Sequence, residues 1–84
     1  MKLPFIKHFV DFIEKNDIDY LHETIEVLES LADLPTLKDE EMEVIGELVS
    51  NLYGAVEVQK EILSGTAKKE ALNRFIKRVL GAIN

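Results

Sequence analysis

Two histidines and a set of carboxylates are the side chains of this 84-residue sequence whose types could do chemistry. His22 and Glu26 stand one helical turn apart in His22-Glu23-x-x-Glu26, a spacing at which an imidazole and a carboxylate can share a metal ion. A HExxH zinc site needs a second histidine where Glu26 stands. A carboxylate-bridged di-iron site needs Glu-x-x-His on two helices, and Asp19-Tyr20-Leu21-His22, its nearest approach, occurs once. The pair therefore reads as part of a solvated acidic face. His8, between apolar neighbours, reads as a core-boundary residue. Glu40, Glu43 and Glu47 line one helical face and read as solvated or paired with basic residues. Ser30, Ser50 and Ser64 have no histidine at a motif spacing, so a hydrolase triad has no support, and no glycine-rich phosphate loop is present. The absence of cysteine excludes thiol catalysis, iron–sulfur clusters, cysteine-type zinc sites and disulfides. No catalytic residue, metal ligand or cofactor is predicted, and the chain reads as non-enzymatic.

Two features point instead to packing and binding. The first is Gly46-x-x-x-Ser50-x-x-x-Gly54. Glycine costs about 1 kcal/mol relative to alanine inside a helix. At four-residue spacing these small residues make a smooth groove where another helix can come close, either within the monomer or from a second copy. The second is the basic run Lys68, Lys69, Arg74, Lys77 and Arg78 near the C-terminus, with Ser64-Gly65-Thr66 as a possible helix-turn-helix turn. Phosphate contacts dominate nucleic-acid affinity. Here they would meet repulsion from an acidic body, and the helix before the turn is too long. Basic residues late in a helix also complement its dipole and can pair with acidic neighbours.

Four helices must position these residues. The first runs from about Pro4, suited to a first turn, to Lys15. Its Phe5, Ile6, Phe9, Val10, Phe12 and Ile13 make an apolar face wide enough to be mostly buried. Asn16-Asp17 breaks it, with Asp17 or Asp19 as the next cap. The second helix, about Ile18 to Asp33, carries Ile18, Leu21, Ile25, Leu28 and Ala32 as a bundle seam, widened by Val27, Leu31 and Leu34. Pro35 ends it.

The third and central helix runs from about Leu37 to Ser64, with Asp39, Glu40 and Glu41 in a dipole-favoured first turn and Met42, Ile45, Leu48, Val49, Leu52, Tyr53, Val56, Ile62 and Leu63 along it. At about 27 residues it would span roughly 40 Å, longer than its neighbours can cover unless it bends. Gly65 stops it and Thr66 caps the fourth helix, whose inner face is Ala71, Leu72, Phe75, Ile76, Val79, Leu80 and Ile83. No strand pattern, repeat or linker interrupts the series. The predicted fold is all-α: one domain over residues 1–84, a small antiparallel bundle of about four helices with one long central helix.

Composition agrees. Apolar residues at 46% and charged residues at 31% suit a globular chain, and one this short has a thin stability margin unless it gains a partner. The net charge of −6 is unevenly spread: residues 1–16 carry +1, residues 17–61 carry −11 and residues 66–84 carry +4. No apolar run reaches the roughly 18 residues of a membrane span. The charged opening Met1-Lys2-Leu3-Pro4-Phe5-Ile6-Lys7-His8 makes a poor signal peptide. A cytoplasmic location follows as the simplest expectation.

The run from Glu41 through Gly46-Glu47-Leu48-Val49-Ser50-Asn51-Leu52-Tyr53-Gly54 to Val58, continued by Gly65-Thr66-Ala67-Lys68-Lys69-Glu70-Ala71-Leu72, together with the opening segment, resembles a family of short bacterial proteins of unknown function. That resemblance covers the whole chain and implies no activity. About residues 38–80 also resemble, more weakly, the AhpD-like (carboxymuconolactone decarboxylase-like) helical domains. In those a glycine precedes Cys-x-x-Cys-x-x-x-His. The positions after Gly54 hold Ala55, Val58 and Ile62, so the likeness implies at most a redox-dead relative with a ligand-binding or accessory role, of a kind that commonly oligomerises.

The expectation is thus a helical interaction module that forms a homo-oligomer, a dimer being favoured, and binds a protein partner. Its interface candidates are Gly46, Ser50, Gly54, Phe5, Phe9 and Phe12. Weak nucleic-acid binding through the basic helix is the alternative, and no membrane contact is expected.

Overall fold

In the computed structural model the described residues are 2–83, with side chains described as far as Val79. The predicted inner-face residues Leu80 and Ile83 lie outside the described side chains. Four helices follow one another: α1 (Leu3–Lys15), α2 (Asp19–Ser30), α3 (Asp39–Leu63) and α4 (Lys68–Ile83), with a 3-10 turn at Leu31–Asp33 prolonging α2. No strand occurs among the described residues. The all-α fold with one long central helix is as the periodicity predicts, and element ends fall within two residues of the expected positions except where α2 tightens into its 3-10 turn.

Local chemistry accounts for the ends. Pro4 sits in the first turn of α1, where its missing N–H costs nothing. The Asp17 carboxylate accepts the Asp19 N–H at 2.9 Å and so starts α2. At the head of α3 the Glu41 carboxylate accepts the Lys38 N–H at 2.9 Å, half of a capping box whose other half a lysine has no acceptor to supply. α3 stops at Gly65, which takes φ +110°. Its N–H reaches the Ile62 carbonyl while the Thr66 N–H reaches that of Glu61, both at 3.1 Å; this bond pair defines a glycine-terminated helix end.

α3 is the spine, packed against α1, α2 and α4 in turn. The Lys2 N–H meets Asn51 and the Ile6 side chain reaches Gly54, so α1 runs along the second half of α3 in the same sense. α4 returns from the Gly65 turn and brings Phe75 back to Gly54, antiparallel to α3. The core consists of Ile6, Val10 and Ile13 of α1, Leu21 and Ile25 of α2, Leu52, Ala55, Val56 and Val58 of α3, and Ala71, Leu72 and Phe75 of α4. The Cα extents are 43 × 34 × 17 Å, about two helices deep. The radius of gyration of 13.8 Å exceeds the roughly 12 Å of a compact chain of this length.

That openness has a location. Every buried residue of α3 lies between Asn51 and Gln59. The half from Asp39 to Ser50 has no buried residue, and Met42 and Val44 on it are exposed. The spine is therefore fully covered along its second half only, with Val49 half-buried at the border.

Two expectations about burial need correction. The apolar face of α1 is not mostly buried: Ile6, Val10 and Ile13 are, but Phe5 and Phe12 stand 41% and 37% exposed. Nor do Val27 and Leu34 widen the buried stripe of α2. Val27 lies about a third of a turn from Leu21 and nearly half a turn from Ile25 around the helix and is exposed. Leu34 follows the 3-10 turn, where the α-helical register is lost, and is exposed too.

Candidate interaction surface

α1 carries two parallel stripes. Ile6, Val10 and Ile13 recur at i, i+4 and i+7 and face the core. Phe5, Phe9 and Phe12 repeat the same spacing one residue earlier, about 100° round the helix. Phe9 is half-buried and packs against the core, whereas Phe5 and Phe12 open to solvent. α2 adds Tyr20, 56% exposed, whose ring stands edge-on to Phe12 at 5.8 Å between centroids. His8 is exposed and stands edge-on to Phe9 at 6.1 Å.

These rings border two adjoining clefts. One of about 400 Å³ is lined by Pro4, Phe5, His8 and Phe9. The other, of about 190 Å³, is lined by His8, Phe9, Phe12, Tyr20, Leu21, Thr24 and Leu52. They share His8 and Phe9 and form one band from the head of α1 to the first half of α2, floored by Leu52 of α3. No Asp, Glu, Lys or Arg lines either cleft, in a chain that is 31% charged. Charge-poor, aromatic-rich surface is the composition of interface cores.

The predicted small-residue groove divides between two environments. Gly54 is packed inside the chain: a β-carbon there would stand 2.9 Å from Phe75 Cζ and 3.3 Å from Ile6 Cδ1. It is the point where α1 and α4 close on α3, so it lies on no free surface. Ser50 is half-buried, and Gly46 is exposed, with nothing within 4 Å of a β-carbon built on it. The three positions share a helix face but not a neighbour.

Three of the five basic residues of α4 are engaged in intramolecular pairs. Lys68 bonds Asp11 of α1 and reaches Glu14 at 2.8 Å. Arg74 pairs with Glu70 at 2.8 Å and Arg78 with Glu57 of α3 at 2.7 Å. The hydrogen bond from Lys68 holds the Asp11 carboxyl below its ordinary value, and the same bond, with help from Glu14, raises the Lys68 ammonium above its own. Burial and the neighbouring Glu29 carboxylate push the Tyr53 phenol up.

Elsewhere little chemistry gathers. His22 and Glu26 are exposed, and no three of the His, Cys, Asp and Glu side chains among the described residues come close enough to share a metal ion. Ala55 and Val58 are buried in the core and Ile62 is half-buried against it, so the three positions of the AhpD-like pattern present only hydrocarbon. No helix among the described residues is long and apolar enough to cross a membrane.

Sequence reasoning missed two residues. Asn51 is fully buried; its Oδ1 accepts the Lys2 N–H at 2.9 Å and its Nδ2 donates to the Glu47 carbonyl at 2.9 Å. It ties the head of α1 to the middle of α3, and an amide set among apolar residues of a core helix was the available signal. Tyr20 enters the sequence reading only through the metal-like Asp19–His22 spacing, yet with Thr24, one turn on, it lines the edge of the aromatic band.

A family profile, that of a family of unknown function (DUF6952), matches residues 1–84. No curated protein and no solved structure matches the chain, and neither comparison brings an AhpD-like relative.

Proposed function

The chain belongs to this family of unknown function, DUF6952, and we propose that it acts as a helical protein-interaction module that self-associates, two copies meeting through the Phe5–Phe9–Phe12 face. The charge-free lining of the aromatic band carries the reading. A two-fold contact brings each residue near its own symmetry mate, so a charged face would repel itself while a neutral aromatic one does not. Filling the two clefts requires no lining charge to leave water, and the Lys2 ammonium, 5.6 Å from the Phe5 ring centroid, stands outside that lining. Exposed rings recover roughly 25 cal/mol for each Å² of apolar surface removed from water, a gain this thin, half-covered fold does not obtain on its own.

Sedimentation equilibrium at micromolar concentration tests it. The expected species has twice the 9.6 kDa mass of the chain. Phe5→Glu and Phe12→Glu, placed at exposed positions, should yield monomers with unchanged helical circular dichroism. A wild-type chain that sediments as a monomer, or a dimer indifferent to both substitutions, would count against the face.

A further inference from the structure

We propose that the tip of the α2–α3 hairpin is a docking groove for a basic amphipathic helix supplied by a different protein, which extends the interaction-module reading to a second surface and does not depend on the dimer. The groove, about 530 Å³, is walled on one side by Leu31, Leu34 and Leu37 of the connecting segment and on the other by Val44 and Ile45 of α3, with Glu40 and Glu41 at its rim. Leu34 is 49% and Val44 60% exposed. They stand open because full burial on α3 begins only at Asn51.

Charge selects the occupant. The groove lies in the segment that carries −11, and Lys38 is the single base between residues 17 and 59. Asp33, Asp39, Glu40 and Glu43 have no ion pair among the described residues. A partner must therefore bring an apolar stripe with cationic flanks. A helix meets that demand with anchors at i, i+3, i+4 and i+7 laid between two ridges. A second copy of this chain offers a poorer match: its α1 sets exposed Phe5 and Phe12 beside Lys2, Lys7 and Lys15 but carries Asp11 and Glu14 as well. Its cationic helix, α4, commits Ala71, Leu72 and Phe75 to the core and pairs Lys68, Arg74 and Arg78 within its own chain. The aromatic band suits a copy of the chain because it is neutral. This groove suits a stranger because it is not.

The test uses the full chain and two fluorescent synthetic peptides of roughly 18 residues sharing one helical leucine pattern, with lysine on the polar face of one and glutamate on that of the other. Anisotropy titration should show the lysine peptide binding in a salt-sensitive manner and the glutamate peptide not binding. Leu34→Ser, Val44→Ser and Glu40→Lys should each weaken the lysine peptide about tenfold, the loss of one buried anchor or one attractive charge. Phe12→Glu, which addresses the dimer, should leave that affinity unchanged. Circular dichroism and unfolding midpoints establish that each variant is folded. Binding that ignores the three groove substitutions, or equal binding of both peptides, overturns the proposal. So does a Val44→Ser variant that dissociates the dimer, since a second copy would then occupy the groove.

Discussion

A β-carbon placed on Gly54 would stand 2.9 Å from the ring of Phe75, so the absence of a side chain at one position and the presence of a large one at the other form a single fitted contact between α3 and α4. Ile6 closes the same point from α1, its Cδ1 3.3 Å from that β-carbon. Three helices thus converge where the spine is bare, and the helix propensity forgone at Gly54 is offset by their close approach.

The two glycines of α3 should answer the same substitution with opposite signs. Gly46→Ala meets nothing within 4 Å and should stabilise the protein by about 0.5–1 kcal/mol through helix propensity alone. Gly54→Ala gains the same propensity but must displace a Phe75 ring that is only 3% exposed. Overpacking of this kind typically costs about 1–3 kcal/mol, so the net effect should be a loss. Urea unfolding of both variants checks the contrast, and two shifts of the same sign would refute it.

Asn51→Ala should cost about 1–3 kcal/mol, because the Lys2 N–H then loses its acceptor. Amide exchange in the first turn of α1 should accelerate more than exchange in α4. Uniform acceleration would mean that Asn51 supports the core in general rather than the head of α1.

The Lys68 pairs should shape the acid limb of stability. Asp11 titrates below 3.8 when folded because Lys68 donates to it. Its contribution is therefore full above the unfolded value and lost as pH falls from about 4 through the lowered one. Lys68 titrates above 10.5, so its share is full below that pH and lost as pH rises through the raised value. Both groups are more than a third exposed, and the effect should be modest and shrink with salt. Thermal scans between pH 2 and pH 6 should show a flatter acid limb for Asp11→Asn than for the wild type. Parallel curves would count against the assignment.

Burial along α3 predicts an uneven response to substitution. Val44→Ser, at an exposed site, should change stability by less than about 0.5 kcal/mol. Ile6→Ala, at a fully buried one, should cost about 2–5 kcal/mol. Amides between Asp39 and Ser50 should exchange faster than those between Asn51 and Gln59. A Val44→Ser penalty comparable to that of Ile6→Ala would show that the first half of α3 is covered after all.

Helix order and helix ends were legible in the sequence because Pro4, Pro35 and Gly65 act locally, through backbone geometry that no distant residue alters. Which apolar residues would be covered was not. Phe12 and Ile13 are adjacent, equally apolar and equally compatible with a helix. Only the rotation at which α1 docks sends one outward and the other in, and that rotation is fixed by Asn51 and Gly54, far along the chain. The same holds for Gly46 and Gly54, which read as one motif but meet empty space and a phenyl ring respectively. The family profile adds coverage of the chain without assigning any chemistry to it.

Beside the local Phe12–Tyr20 ring contact, the contacts that fasten α1 to α3 and α4 join residues 49 apart at Lys2 and Asn51, and 57 apart at Lys68 and Asp11. The α2–α3 and α3–α4 hairpins close through neighbours in sequence, and local contacts form before distant ones. Contact range therefore predicts that α1 seats on α3 last. The aromatic face it carries would then take shape only at that step, so pairing of two chains through it would come late and act as a checkpoint that only completed molecules pass.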